Sequence, residues 1–423
     1  LARKDGALSS LLFPQCWAAG DRAGAGGEMP PMTMQGEASA RERMRCFDGL
    51  RGVLASYVVL HHMVPLLALD GAAAKVARLF EYGGAAVDVF LILSGLVILQ
   101  SLAVFHDRAL PFLAARAARL LPCYLLALAM AMLAASFPLP WDAMDWLNGV
   151  SSAREQWPIG WPDQPLTHVV LHLTMAHGLL PNAVLPYADI SLLGPAWSLS
   201  NEWQFYVLIA ALVAWFHCQL WVIVMLLLLL AAVALPTNDI LLGGDDGFTM
   251  AFLPLKAHYF ALGIATTVLF RPQVSAADAW RLLLCLGATM LIAGLSGGLN
   301  KLPPLLAWAA CALAQRLPTL TLLSPLRRVL QSPPLLWLGA ISYPLYLVHD
   351  PVLRLLVVVL APWLTGHGLA FTLLWGGASV LLALGLAAWM RKHVELPGIA
   401  WGKAMLQRRW QTRSTALPPL ASS

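Results

Sequence analysis

Apolar residues run along the chain in blocks of roughly 18 to 22, separated by short polar breaks, and each block is long enough to cross a bilayer as a helix. The pattern predicts ten spans, at about 52–69, 84–104, 117–136, 197–216, 219–235, 251–270, 281–297, 303–322, 335–360 and 369–390. Arg316 and Pro318 interrupt the eighth. Between the third and fourth lies a long connection, 137–196, rich in Trp, Pro and Asp. Its segment "HVVLHLTMAHGLL" is too short to span and is expected to lie at the interface or fold back.

The Lys/Arg distribution orients this frame. With an inside start, the inner loops hold Arg108, Arg116, Arg119, Arg271, Arg281, Arg316, Arg327 and Arg328, and a basic tail from Arg391 to Arg413 joins them. The outer loops hold Lys75, Arg78, Arg154 and Lys301 and are acidic, with Asp142, Asp145, Glu155, Asp163, Asp189, Asp239, Asp245 and Asp246. Both termini are therefore expected to be cytoplasmic, and an odd number of spans would scramble the alternation.

Composition agrees. Hydrophobic residues make up 59% and charged residues 12% of 423, and the mean hydropathy is +0.70; a soluble domain carries about twice that charge. The expected class is an all-α polytopic membrane protein. The net charge of +5 reflects orientation, because the basic residues form no stripe interleaved with aromatics, and nucleic acid is not an expected partner. The cysteines at 16, 46, 123, 218, 285 and 311 are scattered, with neither C-x-x-C nor metal-ligand spacing. His168, His172 and His177 lack an acidic or cysteine ligand to complete a metal site, so no metal is expected. The tryptophans, 17 in all, suit interfacial belts, with a sugar platform as the other use. Residues 1–44, rich in Ala, Gly and Pro and without an apolar core and cleavage site, are read as a disordered or mis-called segment. The membrane domain is then 45–398, and 399–423 a basic cytoplasmic tail.

Ionisable residues inside spans are expensive and mark function. "DGLRGVLASYVVLHHM" (48–63) holds Arg51 and the pair His61/His62. Arg51 and His62 are eleven residues apart, three turns plus about 20°, so they share a helix face with a rise of about 16 Å between them. With Arg51 at the cytoplasmic edge, His62 reaches the bilayer midplane, while His61 points about 100° away. The same arithmetic puts Asp88 of "GAAVDVFLILSG" near the outer edge and Ser94 near mid-depth. It puts Glu202 of "PAWSLSNEWQFY" about 8 Å in from outside, and His349 of "ISYPLYLVHDP" about 20 Å up from the cytoplasm. Lys256 enters the sixth span from outside, within range of Glu202 or Asp88. Arg116 and Arg119, at i and i+3 in "RAARLLPCY", share a helix face at the inner surface with Arg51 nearby. Such a guanidinium cluster suits phosphate through bidentate, charge-assisted bonds; ordinary positive-inside anchoring is the plainer use.

The blocks "FDGLRG…LHHM", "GGAAVDVFLILSGLVI", "RAARLLPCY", "PAWSLSNEWQFY", "AHYFALG", "ISYPLYLVHDPV" and "VELP" appear in order. They resemble the signature blocks of the membrane-bound acyltransferase-3 family, over about residues 45 to 398. Members of that family O-acylate bacterial surface and secreted carbohydrates, and some antibiotics and other small molecules. The resemblance implies acyl-coenzyme A, usually acetyl, as cytoplasmic donor and a bacterial inner-membrane location. The family's arginine-x10-histidine motif falls on Arg51 and His62, and its arginine-x-x-arginine motif on Arg116 and Arg119. Its tryptophan-serine-leucine-x-x-glutamate block falls on Trp197, Ser198, Leu199 and Glu202, and its histidine after "SYPLYL" on His349. Two departures are visible: Lys256 stands where arginine is common, and "AVDVFLILSG" lacks the usual paired phenylalanines.

Transfer from a thioester to a hydroxyl needs a base and a donor to the developing oxyanion; histidine suits the base role near neutral pH. The expected roles are His62 as general base, Glu202 or His349 orienting it or binding the acceptor, and Arg51, Arg116 and Arg119 holding coenzyme A phosphates. Asp48, His61, Asp88, Ser94, Trp197, Ser198, Tyr206 and Lys256 are expected to support the site or bind substrate. An acyl-histidine relay is an open variant, and Ser94, before a glycine, fits packing better than nucleophilic attack. The resemblance implies a cell-envelope carbohydrate or a related hydroxyl compound as acceptor. A proton-coupled exporter is the competing class, because it too would carry midplane ionisable residues.

Overall fold

The computed structural model describes residues 44–147 and 160–414, all of whose regular structure is helical. The helices that build it are α1 (Arg45–Met63), α2 (Gly83–Ala103), α3 (Ala109–Ala135), α4 (Pro165–Leu173), α5 (Trp197–Ala214), α6 (Leu220–Leu242), α7 (Leu253–Thr266), α8 (Ala276–Gly297), α9 (Leu302–Arg316), α10 (Pro333–Leu360), α11 (Gly368–Met390) and α12 (Leu396–Ser414). Short turns of helix fill several connections. The segment 1–44, apart from its last residue, lies outside the described residues, as do the loop around Arg154 and Glu155 and the end of the tail.

Local chemistry sets several helix starts. Proline, whose fixed φ suits the first turn and whose missing N–H is not needed there, opens α4, α7, α9 and α10. The Ser275 hydroxyl accepts from the Asp278 backbone N–H to cap α8. α9 stops at Arg316, short of Pro318 and of the expected end near 322. α3 begins eight residues before its expected span.

Seven helical segments are long and apolar enough to cross a membrane: Gly71–Ala103, Ala109–Ala135, Leu220–Leu242, Leu253–Phe270, Ala276–Arg316, Pro333–Trp363 and Gly368–Leu406. The chain is a multi-pass membrane protein. α9 lies inside the Ala276–Arg316 segment, while α1 and α5 fall outside the seven. Both carry polar residues at least partly buried in the bundle: Arg51, His61 and His62 on α1, and Ser198, Asn201, Glu202 and Gln204 on α5, while Asp48 on α1 is exposed.

α2, α7 and α10 form the buried interior, whereas α6, α8 and α11 show much apolar surface. α1 packs most extensively against α10, and α7 against α2 and α6. Both inner pairs approach to backbone contact over glycine, the device that lets membrane helices pack closely. A Cβ at Gly339 would lie 1.9 Å from the Asp48 carbonyl oxygen, and one at Gly52 2.5 Å from that of Leu335. A Cβ at Gly263 would lie 2.0 Å from the Ile92 oxygen, and one at Gly95 2.3 Å from that of Phe260.

The connection after α3 folds back over the bundle. His168, His172 and His177 are buried, with His172 and His177 stacked at 4.2 Å. His177 donates to the Ala196 oxygen (3.1 Å), and the Tyr124 hydroxyl donates to the His172 oxygen (2.8 Å), pinning this segment to α3 and to the start of α5. At the other end the chain continues through a π-helical turn, Arg391–Glu395, into α12, which packs along α3. The first part of the expected tail is thus a helix against the bundle.

Candidate functional site

The close α1–α10 packing brings His62 and His349 together. His349 Nε2 lies 3.3 Å from His62 Nδ1, and the rings are 5.0 Å apart. Backbone carbonyls can only accept, so they fix the tautomers. His349 Nδ1–H donates to the Leu345 oxygen (3.1 Å), leaving its Nε2 as acceptor. His62 Nδ1–H donates to the Val58 oxygen (2.9 Å) and leans toward His349 Nε2. The lone pair of His62 is therefore on Nε2, which makes no hydrogen bond to a described residue. His62 is half-buried while His349 is wholly enclosed, so of the two it is His62 that can meet a substrate.

His61 faces a different neighbour, as expected for a residue 100° round the helix. Its Nδ1–H donates to the Phe80 oxygen (2.8 Å), and its ring leaves no room for a Cβ at Gly83, 2.2 Å away.

Glu202 Oε1 accepts from the Ser94 hydroxyl (2.8 Å) and from the Tyr206 hydroxyl one turn along α5. Ser94 thus helps to hold the Glu202 carboxylate. Ser198 and Tyr346 hydroxyls are 2.9 Å apart, and the Tyr346 hydroxyl donates to the Pro195 oxygen (2.8 Å), tying the turn before α5 to the His349 turn of α10.

The three arginines differ in their surroundings. Arg116 is buried, donates to the Ser101 hydroxyl, and lies over the Phe112 and Tyr206 rings at 5.6 and 5.0 Å. Arg51 and Arg119 are only partly buried and close enough to repel each other. Neither makes a hydrogen bond or ion pair to a described residue. Asp48, Glu395 and Glu202 all act electrostatically on Arg51, and Glu202 acts on Arg116 as well. The arginines and Glu202 are thus nearer than straight-helix depth arithmetic implies, because long arginine side chains carry charge well away from their Cα positions.

Lys256 pairs with Asp88 (2.7 Å), and Lys301 adds a second contact to the same carboxylate (3.1 Å). The Lys256 ammonium also lies 5.5 Å from the centres of the Trp197 and Tyr259 rings. Asp88 is 1% exposed, and both charges sit on the α2–α7 pair that glycine brings together.

Sequence reasoning missed Glu395 and Lys301. Glu395 is 3% exposed, bonded to Arg391 at 3.4 Å and within electrostatic reach of Arg51. A carboxylate inside the closing "VELP" block was the available signal. Nothing local marked Lys301, which meets Asp88 across 213 residues. Among the described residues no group of His, Cys, Asp and Glu could hold a metal ion.

A family model described as an acyltransferase domain, that of acyltransferase family 3, matches residues 44–391. No curated protein and no solved structure matches the chain.

Proposed function

The chain belongs to the acyltransferase-3 family, and from that premise we propose that it moves an acyl group, acetyl in the simplest case, from cytoplasmic acyl-coenzyme A to a hydroxyl of a cell-envelope carbohydrate or related acceptor. The reading includes ten spans, cytoplasmic termini and a bacterial inner-membrane location. The observation that carries it is on α1. One end bears Arg51, near Arg119, with neither guanidinium hydrogen-bonded to a described residue, and the other bears His62 with an open Nε2. Guanidinium groups that repel each other and have no partner among the described residues fit an anion, and an imidazole with an open Nε2 lone pair and its Nδ1–H against a second imidazole fits a base. A proton path explains the second feature and not the first.

The donor's phosphates are held by Arg51 and Arg119, with Arg116 fixed on Ser101 behind them. The acceptor hydroxyl gives its proton to His62 Nε2 as its oxygen attacks the thioester carbonyl. The tetrahedral intermediate collapses, the C–S bond breaks, and the imidazolium returns the proton to the departing thiolate. His349 positions His62 by accepting from Nδ1–H, and that bond strengthens as the ring becomes cationic. Glu202, fixed by Ser94 and Tyr206, balances the arginine charge and faces the acceptor.

The test uses purified protein with acetyl-coenzyme A. Thiol release should depend on His62, and envelope glycans from cells lacking the gene should lose an acyl mass by mass spectrometry. Wild-type thiol release from His62→Ala would remove the base assignment, and unchanged glycans would remove the carbohydrate acceptor.

A further inference from the structure

α10 carries a second charged residue that the chemistry above does not use. Arg354 lies five residues beyond His349, a rise of about 7.5 Å, with Pro351 between them. It is 5% exposed, and its Nε and Nη2 are enclosed without a hydrogen-bond partner among the described residues. Asp350, one turn earlier, is the opposite charge that acts on it, but the two do not close an ion pair. Asp350 instead lies against the turn into α5, where a Cβ at Gly194 would come within 3.7 Å of Oδ1.

An enclosed guanidinium with unmet donors is unfavourable in any protein interior, and more so at membrane depth. The identity of the unmet atoms is specific. Nε–H and an Nη2–H lie on one edge of the planar guanidinium and point the same way, a pair that matches the two oxygens of a carboxylate or a phosphate. A single carbonyl or hydroxyl would leave one donor unmet.

We propose that this edge of Arg354 binds an anionic group, carboxylate or phosphate, carried by the acceptor sugar. The assignment rests on the acyl-transfer reading for the side of the membrane from which the ligand arrives. On that reading Arg354 is on the outer side of His349, and the turn Gly194–Ala196 beside Asp350 is tied through Pro195 to Tyr346 and Ser198. The anion anchors the sugar while a hydroxyl is presented inward. Neutral glycans lack the group that satisfies the edge, so Arg354 selects acidic over neutral acceptors.

Full-length protein in an uncharged detergent is melted with methyl glucuronide, glucose 6-phosphate or methyl glucoside, without any acyl donor. The expected result is a raised melting temperature with at least one of the acidic sugars and none with the glucoside. Arg354→Leu should abolish the rise, and Arg354→Lys should retain only part of it, since an ammonium lacks the paired edge. Without ligand, the double variant Asp350→Asn/Arg354→Leu should melt no lower than wild type, because it removes both charges of an unclosed pair rather than a structural contact. Failure of both acidic sugars to shift wild type, an equal shift by the glucoside, or a shift that survives Arg354→Leu would overturn the proposal. So would a shift given by added phosphatidylglycerol and by neither sugar, which assigns the edge to lipid. The acyl-transfer reading is judged separately, by acetyl-coenzyme A binding in Arg354→Leu. Lost donor binding in wild type as well would sink that reading while leaving the sugar shift standing.

Discussion

Gly339→Ala tests whether the His62–His349 contact depends on backbone contact between α1 and α10. The added Cβ would lie 1.9 Å from the Asp48 oxygen, against ordinary contact at 3.4 Å or more. The obstacle is helix backbone, not the end of a flexible side chain, so the helices must part by about 1.5 Å at that point, the strain of a typical overpacked core. Such strain costs about 1 to 3 kcal/mol in stability. His62 Nδ1 and His349 Nε2 bridge the same two helices at 3.3 Å, already at the long end for a nitrogen donor. A parting of a few tenths of an ångström breaks that bond even if the helices tilt rather than translate. Loss of one hydrogen bond, about 1 kcal/mol, lowers turnover by roughly fivefold. The assay pairs thermal unfolding in detergent with acetyl-coenzyme A thiol release. Gly377→Ala, where a Cβ meets nothing within 4 Å, is the control for an added methyl in a membrane helix. Wild-type melting and turnover in Gly339→Ala, matching that control, would refute the backbone-contact argument.

His62→Ala should lose turnover by about 10²- to 10⁴-fold, the range for a general base, while His349→Gln should lose only about tenfold with donor KM unchanged; equal losses would refute the base-and-positioner division. Arg119→Ala should weaken binding of a non-hydrolysable acyl-coenzyme A analogue by about ten- to a hundredfold, with partial rescue by Arg119→Lys. Glu202→Gln should bind that analogue at least as well as wild type, since it removes a negative charge near Arg51 and Arg116; titration calorimetry on each variant decides. In a background without native cysteines, Asp245→Cys should react with an impermeant thiol reagent from outside intact cells, and Gln273→Cys and Arg328→Cys should not. Outside labelling at 273 would overturn the ten-span, inside-start arrangement.

Apolar runs located the long helices well because every backbone polar group in lipid must be satisfied within its own segment, so a run of that length has few alternatives to a helix. Ends were less legible. α3 begins at Ala109 because "ALPFLAARAAR" is helix-forming, although its two arginines placed its first eight residues before the expected span. α12 continues past the expected boundary because Gly398 and Gly402 lie flat on Ala118 and Pro122 of α3, a tertiary contact that no local pattern announces. The site was legible residue by residue and not pair by pair. Arg51 and His62 share a face by helix arithmetic alone, but Lys256 could not be assigned between Glu202 and Asp88. That choice is made by Gly95 and Gly263, which draw α2 and α7 together and put Asp88 at 2.7 Å.

The same contrast explains why depth arithmetic separated Glu202 from the arginines while the folded chain does not. Rise per residue fixes where a Cα lies along a helix, but an arginine stem spans much of a helix turn or more, and its head goes where a partner holds it. Arg116 is held by Ser101 and by the Tyr206 ring, and Tyr206 is one turn from Glu202 on α5. One carboxylate consequently acts on arginines from both α1 and α3. A cluster arranged this way can exchange internal charge balance for an arriving phosphate without moving a helix. The histidine pair does need fixed helices, because a bond between imidazoles tolerates little displacement. Glycine contact between α1 and α10 lies at the Arg51 end, through Gly52 and Gly339, so the histidine pair takes its spacing from a contact about 15 Å away along the two helices.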